Sequence, residues 1–411
     1  MKKNKLKKMI VSGLIGIGMF FGSFVSQPSE VEAHVISSAE EHAIGYKMLK
    51  SNATVLGSMR EYDYLLDNIV KANNLPTEGH TMGQKRYLHG VYLSETNQVN
   101  AYSYPAGYIV VTEGFWKFSF PEYKKDPSAY VVMHSHTNNN LSEFMLGHEI
   151  AHWYNEDYLK KQNNNMFVSM FGTVIGQIAG NSELAQIGVE SVEGWTRKLT
   201  NRNLNFKTEQ KADETSLKFL EKNTFGNAGG GLVFFHRLME RNSKIGKDST
   251  KDQGSWEFPH SSTKVRYDRV ADYVYRQSKG RIKVTDNAVY IDGKLFNVPH
   301  HSDAEENASQ LEHNLSVAGG LAKAIANGCD HTEYVKYRSK HVAGEFDDWT
   351  VIMASDASRK KYVMVDAVKT NYNIYDKLIV NGKNSGTPAE LKEAMKVNDA
   401  RVLYEKILEN R

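Results

Sequence analysis

Two histidines four positions apart, His148 and His152, with Glu149 between them, are the residues in this sequence best placed to do chemistry. On an α-helix, positions i and i+4 share a face about one turn apart, so both imidazoles can reach one ion. Zinc takes four tetrahedral ligands, with imidazole nitrogens at about 2.0–2.1 Å. Glu149 lies about 100° round the helix from His148, which places its carboxylate to touch a metal-bound water instead of the metal. Phe144, Met145, Ile150, Ala151, Trp153 and Tyr154 flank the motif without a proline, as a helix requires.

Two histidines do not complete a zinc site. A second pair, Glu209 and Asp213, is also spaced by four and so shares one face of another helix. Taken alone, that pair would be a solvated acidic face. Behind the histidine helix it has a chemical reading: Glu209 as third ligand, and Asp213 accepting a hydrogen bond from the far nitrogen of a ligand histidine. Such a bond fixes the tautomer and raises the basicity of the imidazole. Three protein ligands leave one position for water, which makes the site catalytic rather than structural. The expectation is one Zn2+ per chain.

These residues need elements to hold them. Apolar residues recur at helical spacing from Ser37 to about Asn74, and strand formers fill Tyr87 to Gly114, with Pro105 and Gly107 marking a turn. Lys124 to Asn140 reads as a loop, Ser142 to Leu159 as the helix bearing the histidines, and Met166 to Leu199 as two packed helices. Helices are predicted over Phe206–Leu220, Leu232–Met239 and Thr263–Tyr275. Beyond Lys283 the pattern turns to strands, with a hairpin in Ala288–Val298 around Asp292-Gly293 and a pair in Thr350–Ala354 and Lys361–Val368. Thr387, Pro388 and Glu390 form the start signal of a last helix. Gly229-Gly230-Gly231 lacks the context of a phosphate loop and reads as a turn or a close helix contact. His134 with His136, and His300 with His301, read as polar loop histidines.

The chain has 411 residues, 40% hydrophobic and 24% charged, which suits a soluble globular protein with one large or two medium domains. Its formal net charge of +3 includes the cluster Lys2, Lys3, Lys5, Lys7 and Lys8, so charge gives no reason to invoke nucleic acid. That cluster precedes an apolar run from Met9 to Val25 and the small-residue pattern Val31-Glu32-Ala33. The pattern predicts a signal peptide over residues 1–33, cleavage after Ala33, and an exported protein, secreted or periplasmic. An uncleaved membrane anchor is the competing reading, although the run is short and glycine-rich for a spanning helix. Cys329 is the sole cysteine, which excludes an intramolecular disulfide and a cysteine-rich zinc site.

Four separated motifs resemble those of the gluzincin metallopeptidases that include HtpX and the CaaX prenyl proteases. They are His148-Glu149-Ile150-Ala151-His152, Glu209-x-x-Ala212-Asp213, the segment Asn100 to Gly114, and His260-Ser261-Ser262-Thr263-Lys264-Val265-Arg266. The resemblance spans roughly residues 40 to 275. It implies strand structure beside the cleft in the Asn100–Gly114 segment, with Tyr108, Ile109 and Val110 binding substrate backbone by β-augmentation. It also implies that His260 polarises the scissile carbonyl or holds the oxyanion, and that Arg266 organises the site. Two departures stand out: Ser261 occupies the family's proline position, and Asn155-Glu156-Asp157 stand where many members carry a further histidine.

The fold expected is α+β, mainly α. A zincin-like metallopeptidase domain over 34–280 carries the active-site helix and an adjacent small sheet, and a smaller α+β region over 281–411 follows. The expected activity is hydrolysis of peptide bonds in protein or peptide substrates by metal-activated water, with Glu149 as general base and acid. No stable membrane span is expected after processing. A catalytically silent zinc-binding or chaperone-like envelope protein of the same fold is the alternative.

Overall fold

The computed structural model describes residues 38–52, 54–58, 60–76, 88–120, 136–155, 157, 206–251, 262–299, 308–340, 346–369 and 387–410. The predicted signal segment, the stretch from Met166 to Leu199, His134, His260, and the pair His300-His301 lie outside the described residues.

The chain begins with helix α1 (Ser38–Ser51), strand β1 (Val55–Ser58) and helix α2 (Arg60–Asn73). The strand interrupts what the sequence reads as continuous helical pattern, because Val55–Ser58 is taken up by antiparallel pairing with β2 (Gly90–Ser94). Strands β3 (Ala101–Tyr104) and β4 (Tyr108–Thr112) follow, and Pro105–Gly107 turns the chain between them. The sheet runs β1-β2-β4-β3, with β2 and β4 parallel and β3 antiparallel to β4. Helix α3 (Glu113–Ser119) leaves β4 through Thr112, whose hydroxyl accepts the Phe115 N–H at 3.1 Å as an N-cap.

Helix α4 (His136–Tyr154) carries the histidine motif and is buried from His136 to Trp153. Its first turns correct the loop expected up to Asn140. The asparagines there look like loop residues in sequence, but burial satisfies them: Asn138 Oδ1 accepts from Arg237 at 3.0 Å, and Asn140 donates to Ser316 Oγ at 2.8 Å. Helix α5 (Phe206–Lys222), α6 (Gly229–Lys244) and α7 (Thr263–Gln277) come next, and α4 packs against α2, α5 and α6.

Two close approaches bring these helices together. A Cβ on Gly147, next to the first histidine, would meet Ser216 Oγ at 2.5 Å, and that hydroxyl donates to Phe144 O at 2.7 Å across the α4–α5 contact. A Cβ on Gly230 would meet Asn140 O at 2.0 Å. The triple glycine is therefore a close helix contact that seats the start of α6 on α4.

Strands β5 (Ile282–Val284), β6 (Val289–Ile291) and β7 (Lys294–Phe296) form a small antiparallel sheet, whose hairpin turns at Asp292 and Gly293, both at positive φ. Helix α8 (Gln310–Asn327) was not anticipated from the sequence. A capping box formed by Ser309 and Glu312 starts it, and it is buried from Glu312 to Ile325. Strands β8 (His331–Lys340), β9 (Phe346–Ser355) and β10 (Tyr362–Lys369) make a third sheet in the order β10-β9-β8, and helix α9 (Pro388–Glu409) begins at the predicted Thr387 cap.

Residues 38–411 form one compact unit. Polar ties cross it. Lys323 of α8 is buried and donates to Leu220 O at 2.7 Å and Gly226 O at 2.8 Å, and also to Asn223 O, which satisfies carbonyls at and beyond the end of α5. Burial pushes its ammonium pKa down to about 7. In the C-terminal part, buried His313 lies 3.0 Å from Asp366, whose other oxygen accepts from the Tyr404 hydroxyl at 2.8 Å. Cys329 is buried, and burial raises its thiol pKa to about 11, so it behaves as a small apolar residue. The architecture is α+β and mainly α. Among the described residues no helix is long and apolar enough to cross a membrane.

Candidate metal centre

Three side chains from two helices converge. His148 and His152 of α4 face Glu209 of α5, with the imidazole Nε2 atoms 3.1 Å apart. Glu209 Oε2 lies 3.3 Å from His148 Nε2, and Glu209 Oε1 lies 3.5 Å from His152 Nε2. All three residues are buried, and their donor atoms fall within 4.8 Å of one another. For ligand bonds of about 2.0–2.1 Å, the edge of a coordination tetrahedron is about 3.3–3.4 Å. The two imidazole nitrogens and the two Glu209 oxygens stand at distances close to such an edge, and the two-imidazole, one-carboxylate set suits zinc chemically. The residues fit the ion.

The outer face of each imidazole is also occupied. His148 Nδ1 lies 2.9 Å from Asp213 Oδ1, and His152 Nδ1 lies 2.9 Å from Asp157 Oδ2. With Nδ1–H donating to a carboxylate, each ring keeps Nε2 as the ligand atom. Burial opposes a charged His148, but hydrogen bonds and charge from Asp213 and Glu209 outweigh it and lift its pKa to about 10. A position that binds a proton so firmly is one that attracts positive charge.

Arg266, in the first turn of α7, holds Asp213 with two hydrogen bonds, Nε to Oδ2 at 2.8 Å and Nη2 to Oδ1 at 2.6 Å. The helix is started by Ser262, whose side chain accepts from the Val265 N–H. Burial would raise the Asp213 pKa, but the Arg266 guanidinium and the His148 hydrogen bond bring it down to about 2. The carboxylate is thus ionised and locked in place. The guanidinium also lies 4.6 Å from the Phe235 ring centroid, which fixes its plane.

Glu149 is almost fully buried and lines a cleft together with His148, Arg266, Asn100 and Ala101. Glu149 therefore borders the same cleft as His148.

The expected substrate strand needs correction. Tyr108, Ile109 and Val110 are buried in β4, which pairs with β2 on one side and β3 on the other. Their backbone groups are committed to those neighbours, so β4 cannot accept another strand. Among the described strands the edges of this sheet are β1 and β3, and β3 is the one that pairs with β4. Its register can be followed from one end: the Thr112 N–H donates to Asn100 O and the Asn100 N–H to Thr112 Oγ1, both at 3.0 Å. Hydrogen-bonded pairs alternate along an antiparallel ladder. The backbone N–H and C=O of Ala101, paired with Val111, consequently point away from β4, and Ala101 lines the same cleft as Glu149.

Sequence reasoning found His148, Glu149, His152, Glu209, Asp213 and Arg266, and the structure brings them together. It missed Asp157, which was noted only as a departure from a histidine pattern. A carboxylate just past the end of the histidine helix was the available signal.

The model of peptidase family M48 matches residues 71–272. That span contains the histidine motif, Glu209, Asp213, Asp157, the β3 edge and Arg266. No curated protein matches the chain.

Proposed function

With residues 71–272 belonging to peptidase family M48, the family of HtpX and the CaaX prenyl proteases, we propose that this protein is a zinc-dependent endopeptidase. The observation that supports it best is the convergence of buried His148, His152 and Glu209 with donor atoms within 4.8 Å of one another, and Glu149 in the adjoining cleft. A metallopeptidase fits this donor set, and the retained Glu149 favours hydrolysis over metal storage.

His148, His152 and Glu209 would hold the ion, which when bound supplies Lewis acidity, lowering the pKa of a water towards about 7 and polarising the substrate carbonyl. Asp213 and Asp157 keep each imidazole in the tautomer that offers Nε2. Arg266 keeps Asp213 ionised and fixed. Ala101, at the β3 edge, offers an N–H and a C=O to an extended peptide, which holds the scissile bond over Glu149. Glu149 accepts the proton of the attacking water and hands it to the departing amine nitrogen. His260, which precedes α7 in sequence, would by the family resemblance steady the oxyanion. The first 33 residues support an exported location for this reaction.

The test is hydrolysis of casein by the purified chain before and after chelation, followed by zinc add-back. Cleavage lost on chelation and restored by zinc supports the reading. Stoichiometric zinc with no hydrolysis would overturn it in favour of a catalytically silent zinc-binding protein.

A further inference from the structure

A second group of donor atoms lies on the other face of the first sheet. Side chains alternate between the two faces of a strand. Val91 of β2, with Ile109 and Val111 of β4, packs into the same apolar cluster as Leu141, Phe144 and Met145 of α4. Tyr92 and Tyr108 therefore point the opposite way, to the side where α1 packs on β3, β4 and the turn between them. There His42, Tyr46, His89, Tyr92 and Tyr108 line an open recess of about 320 Å³. The sheet stands between this recess and α4.

Three of these side chains converge from distant points in the chain. His42 Nδ1 lies 2.8 Å from His89 Nε2 and 3.0 Å from the Tyr108 hydroxyl. Each residue is held by the turn at Pro105–Gly107. A Cβ on Gly45, about one turn after His42, would meet Pro105 O at 2.0 Å, so α1 is seated closely on that turn. Glu41, next to His42, accepts the Ala106 N–H at 3.1 Å, and Ala106 has a φ of 62°. A non-glycine residue keeps such a conformation where its surroundings fix it. The His89 N–H donates to Gly107 O at 3.2 Å, and Tyr108 follows the turn as the first residue of β4. The three donors are thus set in place before any ligand arrives.

Hydrogen bonding does not use this arrangement fully. A neutral imidazole nitrogen carries either one hydrogen or one lone pair, in the plane of the ring. His42 Nδ1 can therefore make one straight hydrogen bond, yet two polar neighbours stand at bonding distance from it. A metal ion would engage all three atoms through their lone pairs. Ligand bonds of about 2.0–2.1 Å meeting at a right angle set neighbouring donors about 2.8–3.0 Å apart, against about 3.3–3.4 Å along a tetrahedral edge. Both separations match the right-angle value. Nitrogen and oxygen donors in that geometry suit Cu(II) or Ni(II), and Cu(II) binds the more tightly of the two. The open side of the recess gives water access to the remaining positions.

We propose that His42 Nδ1, His89 Nε2 and the Tyr108 oxygen form a second metal site, separate from His148, His152 and Glu209, that takes one Cu(II) ion. The phenol proton leaves to solvent as copper binds, so the oxygen coordinates as phenolate. This site does not depend on the peptidase reading.

The full chain is loaded with zinc and then titrated with copper sulfate near neutral pH against a competing chelator. Metal content, electron paramagnetic resonance and visible absorption are read. The expected result is one copper per chain with the zinc retained, hyperfine splitting from two nitrogens, and a phenolate-to-copper absorption band. His42→Gln and His89→Gln should each weaken copper binding by more than about 100-fold, beyond the 10–100-fold that follows loss of a contact merely supporting a ligand. Tyr108→Phe should abolish the absorption band. Tyr46→Phe, in the same recess but outside the donor set, should leave affinity and spectrum unchanged. Zinc retained by each variant shows that it is folded. Copper that binds both histidine variants as tightly as wild type, or that enters only by displacing zinc, overturns the site. A wild-type protein whose bound copper lacks the nitrogen splitting or the phenolate band overturns it equally, whether or not the variants fold.

Discussion

Asp157 Oδ2 lies 2.9 Å from Nδ1 of His152, so the second histidine of the motif has its own carboxylate partner, as the first has Asp213. Each imidazole is thereby fixed from behind by an acid supplied from a different place in the chain. Asp157 lies just past the end of α4, whereas Asp213 comes from α5.

Removing the Asp157 partner should loosen the ion without destroying the site. Asp157→Ala is expected to lower zinc affinity by about 10–100-fold, the usual effect of losing such a contact to a ligand histidine. Asp157→Asn keeps an oxygen acceptor and should lose less. Competition against a chromophoric chelator measures both. Wild-type affinity in the alanine variant would mean that His152 is held by other contacts.

The Arg266–Asp213 pair makes a sharper demand on stability. Arg266→Met leaves the Asp213 carboxylate buried without its bidentate partner, and breaking a buried pair from one side costs about 3–5 kcal/mol. Arg266→Lys restores charge but not the planar fork, and should fall between the two. Urea unfolding of the metal-free proteins gives the comparison. A loss below about 1 kcal/mol for the methionine variant would contradict the role assigned to this pair.

A pH effect is expected at the sheet end remote in sequence from the metal ligands. His89 Nε2 lies 2.8 Å from His42 Nδ1 of α1, and burial, followed by the nearby His42 charge, lowers the His89 pKa to about 4. The unfolded imidazole titrates near 6.5. Between these values the unfolded chain binds the extra proton, so the contribution to stability is complete above about pH 6.5 and is lost as pH falls through about 4. Thermal midpoints should therefore drop from pH 7 to pH 4.5, and His89→Gln should reduce that drop. An equal drop in both proteins would remove His89 from the account.

The parts of the fold that could be read from sequence are those with local signals. The Thr387 capping box, the Asp292-Gly293 hairpin and the triple glycine each act through neighbouring residues or through the lack of a side chain, and each is found where expected. Helix α8 and the first turns of α4 went unrecognised for a physical reason. Both are buried on every side, so neither carries a single apolar stripe to betray its period. Polar residues such as Asn138, Asn140 and Lys323 are buried there because distant partners satisfy them, Arg237, Ser316 and the carbonyls near the end of α5. The same limit applies to the site. Spacing alone picks out His148, His152, Glu209 and Asp213, but which strands form the open edges depends on sheet order, and that order puts Tyr108–Val110 inside the sheet and Ala101 on an edge strand.

The most direct test of the central claim is Glu149→Gln, measured for both zinc content and peptide hydrolysis. Glu149 is placed to handle protons and not to bind the ion, so the variant should retain one zinc per chain. Its casein hydrolysis should fall on the order of 10²–10⁴-fold, the contribution of a positioned general base and acid. A zinc-loaded variant that cuts casein at the wild-type rate would contradict the account.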